Sequence, residues 1–237
     1  MPLQRIARRL AREVETLEWS TPSHVYNPLA YAWGGYREYL RRYGSGCGRV
    51  LLLGMNPGPW GMAQTGVPFG DVLMVREWFG IDAKLSARLP AQHRKYPILG
   101  MACHRNEGSG SRLWRWAEAR LGPPDAFFSR FFVWNYCPLL FIGDDHNLIP
   151  ERLSRTEHAA LGAVCDRALT AVVRALQPAA VVGIGRYAER RARAVLGEDV
   201  EIRYLPHPSP ASPAANARWP ELAEAALGSW LPKRRRR

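Results

Sequence analysis

Three polar side chains able to hold a ligand stand at or just beyond the ends of apolar runs. Asn56 lies in Gly54–Gly70, "GMNPGPWGMAQTGVPFG", directly after "RVLLL". Asn135 closes the run "RFFVWN", and His207 lies in Leu205–Pro210, "LPHPSP", after "EIRY". A residue before proline is pushed to extended geometry, so Pro57 aims the Asn56 amide rather than leaving it mobile. Gly58 and Gly61 let backbone approach a ligand closely, and Phe69 after Pro68 offers a flat apolar face. Pro206 and Pro208 fix the backbone on both sides of His207, presenting the imidazole from a stiff scaffold. Asn135 must find partners for its amide donors and acceptor. Each residue also has a plain structural reading: a tight strand-to-helix turn around Asn56 and a core Phe69, a core hydrogen bond for Asn135, a structural histidine.

The elements that must position them follow from periodicity. Arg49–Met55, Phe131–Asn135, Ala179–Ile184 and Glu201–Leu205 read as buried strands, and helical patterns occupy Ser111–Leu121, Arg155–Leu176, Arg186–Leu196 and Glu221–Leu227. Strands separated by helices imply parallel crossovers and a sheet covered on both faces. The expected fold is therefore a single α/β domain over residues 1–237, a three-layer α/β/α sandwich around a mainly parallel four-stranded sheet. In such sheets ligands bind beyond the carboxyl ends of the strands, where Asn56, Asn135 and His207 fall. Within residues 1–20, Ile6, Leu10, Val14 and Leu17 recur at helical spacing and predict an amphipathic helix packed on the domain. Lys84–Gly110 has no clear period and reads as a long loop, functional or mobile, and residues 232–237 as a disordered basic tail.

Composition narrows the class. The 237 residues carry 33 Lys and Arg against 21 Asp and Glu, a formal charge of +12 that favours a polyanionic partner. Lysine occurs only at Lys84, Lys95 and Lys233, so an arginine-rich coding bias accounts for the surplus equally well. Cys47, Cys103, Cys137 and Cys165 form no C-x-x-C pair, which argues against a zinc ribbon and fits reduced thiols. No segment has the length and apolarity of a membrane span, and no apolar signal core is found near Met1. Two patterns compete for a cofactor or metal. Gly183, Gly185 and Ala188 in "VVGIGRYAERRAR" satisfy the form of a dinucleotide fingerprint, yet Arg203–Leu205 stands where its acidic residue belongs. It reads better as a helix start, with Arg186 facing a DNA phosphate. Asp144–Asn147, "DDHN", between Gly143 and Pro150, reads as a solvated loop rather than a metal site. Neither a cofactor nor a metal is expected.

With these residues assembled, the chain resembles the single-strand-selective monofunctional uracil-DNA glycosylases, within the uracil-DNA glycosylase superfamily. The likeness rests on "GMNPGPWGMAQTGVPFG" and "HPSP", with "YNPLAYAW" (Tyr26–Trp33), "NYCPLLF" (Asn135–Phe141) and "VVGIGRYAERRAR" in support, and runs from about Val25 to Trp219. The resemblance implies metal-free hydrolysis of the N-glycosidic bond of uracil in DNA, leaving an abasic site without strand cleavage. Asn56 would hold a water against the sugar carbon, and His207 would bond the base O2 where charge develops. Met55, Gly58, Phe69 and Asn135 would form the base pocket. On that resemblance Asn135 would accept from N3–H and donate to O4, Phe69 would stack, and Gly58 would leave room at the 5-position for 5-hydroxymethyluracil. Ser209, Pro210, Ala211, Arg218 and Arg186 would meet the DNA.

The family pattern has a duplex-wedging arginine after "HPSP", where this chain has Ala211; Arg218 is the nearest substitute, and action on paired DNA is in question. The expected partner is single- or double-stranded DNA carrying uracil or oxidised uracil, the expected state a monomer. The expected location is the cytoplasm at the nucleoid in a bacterium, the nucleus in a eukaryote. Two other readings stay open: a superfamily glycosylase for another deaminated base such as xanthine or hypoxanthine, and a non-catalytic binder of single strands.

Overall fold

The computed structural model describes residues 1–210 and 213–233. Its strands are, in chain order, β1 (His24–Tyr26), β2 (Val50–Gly54), β3 (Phe131–Asn135), β4 (Leu140–Ile142), β5 (Asn147–Leu148), β6 (Ala180–Ile184) and β7 (Ile202–Leu205). Its helices are α1 (Pro2–Glu15), α2 (Pro28–Tyr31), α3 (Trp33–Tyr43), α4 (Met62–Thr65), α5 (Val72–Glu77), α6 (Gly108–Leu121), α7 (Pro124–Phe128), α8 (Arg155–Leu176), α9 (Arg186–Leu196) and α10 (Pro213–Leu227).

The central sheet has the order β3-β2-β6-β7 with every pairing parallel. β2, β3 and β6 are buried along their whole length, because helices cover both faces and leave no side for polar residues. The register sets Gly54 opposite Asn135 and Ile184 opposite Leu205. The strand ends are thus level, and the residues just beyond them share one rim. β3 is an edge strand, and the Tyr39 hydroxyl plugs that edge: it donates to the Val133 carbonyl at 2.8 Å and accepts from the Val133 N–H at 3.3 Å. Burial pushes the Tyr39 phenol far up, keeping its proton in place for the donated bond.

α1 buries Leu3, Ala7, Leu10, Ala11 and Val14, the stripe its period requires, and packs chiefly on α8. Leu17 falls beyond the helix but still packs on the core. α8 begins with a capping box between Ser154 and Glu157. The Glu157 carboxylate also accepts from the Ser20 and Thr21 amides, at 2.5 and 2.9 Å, stitching the segment after α1 to the start of α8.

Several expectations need correction. The strands are trimmed to Val50–Gly54, Ala180–Ile184 and Ile202–Leu205, each losing one or two flanking residues. α6 starts at Gly108 rather than Ser111 because the Glu107 side chain caps it. The final helix runs from Pro213 rather than Glu221, broken at Arg218, whose φ of −145° and ψ of 27° are not helical. A second, antiparallel sheet of order β1-β4-β5 was not foreseen. Its strands of two or three residues are too short to show a period. Asp144 and Asp145 are exposed as read, yet Asn147 opens β5. Ala211 and residues 234–237 of the basic tail lie outside the described residues.

Candidate active site

Beyond the level ends of β2, β3 and β7, the chain encloses a cleft of about 370 Å³ lined by Met55, Asn56, Gly58, Phe69, Asn135, His207 and Ser209. All seven were singled out by sequence. Pro57, Pro59, Met62, Glu107, Ser109, Asn147 and Ile149 complete the lining. Pro210, Arg186 and Arg218 are not part of it.

Asn56 sits two residues past β2. Its Nδ2 donates to the Leu139 and Pro57 carbonyls, at 3.2 and 3.3 Å. With the amide nitrogen tied to backbone, Oδ1 is the group left to accept a hydrogen bond from whatever fills the cleft.

Asn135 is held more tightly. The β2–β3 pairing continues past the strand ends through Tyr136 N–H to the Gly54 carbonyl and Cys137 N–H to the Met55 carbonyl, both 2.9 Å. Its side chain crosses the face of Gly54, where any Cβ would collide with Oδ1 and come within 2.7 Å of the Phe69 ring. Only glycine fits at position 54. Asn135 Nδ2 meets the Met62 sulfur at 3.2 Å, a weak acceptor, while the buried Oδ1 has no partner among the described residues. An orphaned buried acceptor costs about 1–3 kcal/mol, and such an expense persists where a ligand supplies the missing donor.

Phe69 has φ of 53°, a left-handed conformation that a bulky residue rarely takes. It is held there by its carbonyl, which accepts from Trp114 Nε1 at 2.9 Å and from Asp71 N–H at 2.8 Å. The phenyl ring lies 5.9 Å from the His207 ring, centroid to centroid, tilted by 39°.

His207 is fixed from three sides. Trp219, fully buried, donates its Nε1–H to the Pro206 carbonyl at 2.8 Å. Gly185, with φ of 89°, presents its bare Cα so that a Cβ there would lie 3.5 Å from His207 Cβ. The Ser209 N–H reaches His207 Nδ1 at 3.2 Å. A backbone N–H can only donate, so Nδ1 is the acceptor and the proton of the neutral ring resides on Nε2. Burial lowers the imidazole to about 4, so near neutrality it is an uncharged N–H donor.

The apparent dinucleotide fingerprint has a packing explanation. A Cβ at Gly183 would strike the Glu189 backbone, so the glycine lets α9 lie close on the sheet, and Gly185 seats His207. Arg186, at the start of α9, pairs with Glu189 at 2.8 Å and stacks over the Tyr204 ring at 3.6 Å. Pro210 abuts the start of α6, where a Cβ on Gly108 would come within 2.8 Å of its Cγ. Arg218 is exposed at the kink of α10.

Sequence reasoning missed Glu107, Met62, Asn147 and Ile149. Glu107 sits at the foot of α6; its carboxylate accepts from the Ser109 N–H at 3.3 Å and from the Gly110 N–H. Burial pushes its carboxyl above the usual range. An acidic residue before the first turn of a helix was the available signal, hidden inside the featureless Lys84–Gly110 stretch. Asn147, read in the sequence as part of the solvated Asp144–Asn147 loop, reaches the cleft on the short β4–β5 hairpin. Among the described residues, no group of three or more His, Cys, Asp or Glu is placed to hold a metal ion.

Comparison with known proteins agrees with this geometry. The chain is 45% identical over 224 residues to a single-strand selective monofunctional uracil-DNA glycosylase of Rattus norvegicus, covering 92% of this chain and 80% of that one. It is 44% identical to the Bos taurus protein of the same description, with 92% and 82% covered. The crystal structure of Pedobacter heparinus SMUG2 superposes with a TM-score of 0.65 over 94% of this chain and 96% of that chain; at 17% identity it supports the fold alone. The model of the uracil DNA glycosylase superfamily matches residues 42–227, and the chain belongs to that superfamily.

Proposed function

We propose that the protein is a monofunctional DNA glycosylase that hydrolyses the N-glycosidic bond of uracil in DNA, acting also on 5-hydroxymethyluracil. The observation that carries this reading is Asn135: a buried Oδ1 without a donor among the described residues, beside an Nδ2 resting on a sulfur. That pair complements an imide edge, accepting from N3–H and donating to O4, whereas cytosine offers the reverse and would leave both amide groups unmet. Phe69 supplies the stacking face, a contact worth about 1–3 kcal/mol per base in single-strand systems.

The reaction follows from the other two residues. Asn56 Oδ1 accepts a hydrogen bond from a water and holds its oxygen toward C1′; once that oxygen bonds C1′ it loses a proton to solvent, and the departed base anion takes one up to become neutral uracil. As the C1′–N1 bond breaks, its electron pair leaves with the base, and the sugar carbon becomes cation-like enough for water to add without a strong base. The neutral His207 donates Nε2–H to O2, where the charge collects. The products are free uracil and an abasic site. The target must first leave the helical stack, a cost of a few kcal/mol that is lowest in single strands. Single-stranded substrate, a monomeric enzyme and a nucleoid or nuclear location complete the proposal.

A labelled single-stranded oligonucleotide with one uracil, its duplex, and cytosine and thymine controls test it. Uracil-specific breaks that appear only after alkali are the expected result. Salt-sensitive binding with no base release would refute glycosylase activity and favour a non-catalytic binder; release of xanthine or hypoxanthine in preference to uracil would overturn the substrate.

A further inference from the structure

A second cavity opens on the same rim as the cleft. It measures about 530 Å³ and is walled by Trp19, Val25, Tyr31 and Pro90, with Asn27 and Arg88 among its polar members. Leu139 forms another wall, and its carbonyl is the group that holds Asn56 Nδ2 at 3.2 Å. A single residue therefore stands between this cavity and the cleft. The rim position follows from α8, which runs back to the start of β6, so that its first turn lies level with the strand ends. There Glu157 binds the Ser20 and Thr21 amides, next in the chain to Trp19.

Asn27, only 9% exposed, brings an unmet acceptor to the wall of this cavity. Its Nδ2 donates to the Ala11 carbonyl and to Glu15 Oε1, both at 3.1 Å, which uses both amide protons. Turning the amide over would set Oδ1 against a carbonyl and a carboxylate, so its orientation is fixed. Asn27 stands at the N-cap of α2, where such an oxygen ordinarily accepts from the first amides of the helix, yet its side chain makes no capping bond. Oδ1 has no donor among the described residues. A buried acceptor kept without a donor, in the lining of a largely apolar cavity, points to a ligand that brings one.

We infer that this cavity receives an unpaired base of the substrate strand that flanks the target: its ring packs on the apolar walls, an N–H of its pairing edge meets Asn27 Oδ1, and a neighbouring phosphate meets the exposed Arg88. Every DNA base carries an N–H or amino donor on its pairing edge. In a duplex that donor is spent on the complementary base; in a single strand it is free. The cavity therefore favours single strands without a wedge, because it holds a base that pairing would withhold. Aromatic and apolar walls suit this role, since every base has a face to pack on them. The inference rests on the proposed action on DNA.

The test uses single strands with one uracil flanked by thymines, in which difluorotoluene, with the shape of thymine but no N–H, replaces one flanking thymine after another. For the unaltered protein, kcat/KM for uracil release should fall about fivefold at one flanking position and hold at the others, the size of one net hydrogen bond. Ala30→Trp enlarges an exposed residue of α2 that lines the cavity, so the indole fills it without disturbing the core. This variant should lower kcat/KM on the thymine-flanked single strand about tenfold, the worth of a lost stacking contact, and erase the difluorotoluene difference. Arg88→Ala, at an exposed position, should reduce the salt slope of single-strand binding by about one released counterion. A difluorotoluene effect below about twofold at every position, or one that survives Ala30→Trp, would overturn the inference. Binding of the same strands to Asn56→Ala protein reads the flanking base without turnover. Absence of uracil release by the unaltered protein would thus remove the glycosylase reading, while the binding preference still decides the role of this cavity.

Discussion

Lowering the pH tests the electronic state of His207 directly. The ring has its ordinary value of 6.5 lowered to about 4 by burial. That gap corresponds to ~3 kcal/mol favouring the neutral imidazole inside the cleft. At pH 5.5 an ordinary histidine is roughly 90% protonated, whereas His207 is expected to be only about 3% protonated. Protonation would also put a hydrogen on Nδ1, facing the Ser209 N–H that now donates to it. The charged ring therefore cannot keep its present seat. Single-turnover release of uracil from a single strand, measured from pH 4.5 to 8, should show no loss attributable to His207 until pH nears 4. Nitrogen NMR should find the Nε2–H tautomer across the range. An acid limb near 6.5 that disappears in His207→Gln would refute the assignment of His207 as a neutral donor. The stability effect has a defined sign. The unfolded chain takes up this proton at about 6.5 and the folded chain only at about 4. Falling pH therefore destabilises the fold through this residue between those values, and adds nothing further below them.

Asn56→Ala removes the water's acceptor and should lower single-turnover uracil release about 10²–10³-fold with little change in oligonucleotide binding; turnover within tenfold of the unaltered protein would exclude that role. Gly54→Ala forces a Cβ into Asn135 Oδ1 and should cost about 1–3 kcal/mol in urea unfolding while also cutting uracil release, so a variant of full activity would contradict the packing described. Glu157, whose carboxyl is held far below the usual range by the Thr21 and Ser20 groups against the cost of burial, stabilises the fold above the ordinary carboxylate value and loses that contribution as pH falls through its depressed one. Glu157→Gln should therefore lower Tm at pH 7 and have a shrinking effect toward pH 3, and an equal drop at both would show that charge is not the cause.

What the sequence determined by itself was the sheet and the three residues at its rim. Leu51–Leu53, Phe132–Val133 and Val181–Val182 are apolar without alternation because both faces of a parallel sheet are covered, so the strands announced themselves. Asn56, Asn135 and His207 were conspicuous because each is a polar side chain at or just past the end of such a run, although each also had a plain structural reading. Arg155–Leu176 and Arg186–Leu196 could be bounded to the residue, since a Ser154 cap and a glycine on each side of α9 mark their ends in local chemistry. Only the tertiary structure decided which atoms of those residues are free. That Nδ2 of Asn56 is tied to Leu139, that Oδ1 of Asn135 is orphaned, and that Nδ1 of His207 is an acceptor all depend on groups distant in sequence or on turn geometry. Glu107 and Asn147 were invisible for the same reason. One lies in a stretch without period and the other on a two-residue strand; Glu107 acquires its place from the close approach of the turn at Gly58 and Gly61, and Asn147 from the pairing of β5 with β4. Local periodicity encodes which face of an element is buried; the aim of a hydrogen bond is set by what the fold brings to meet it.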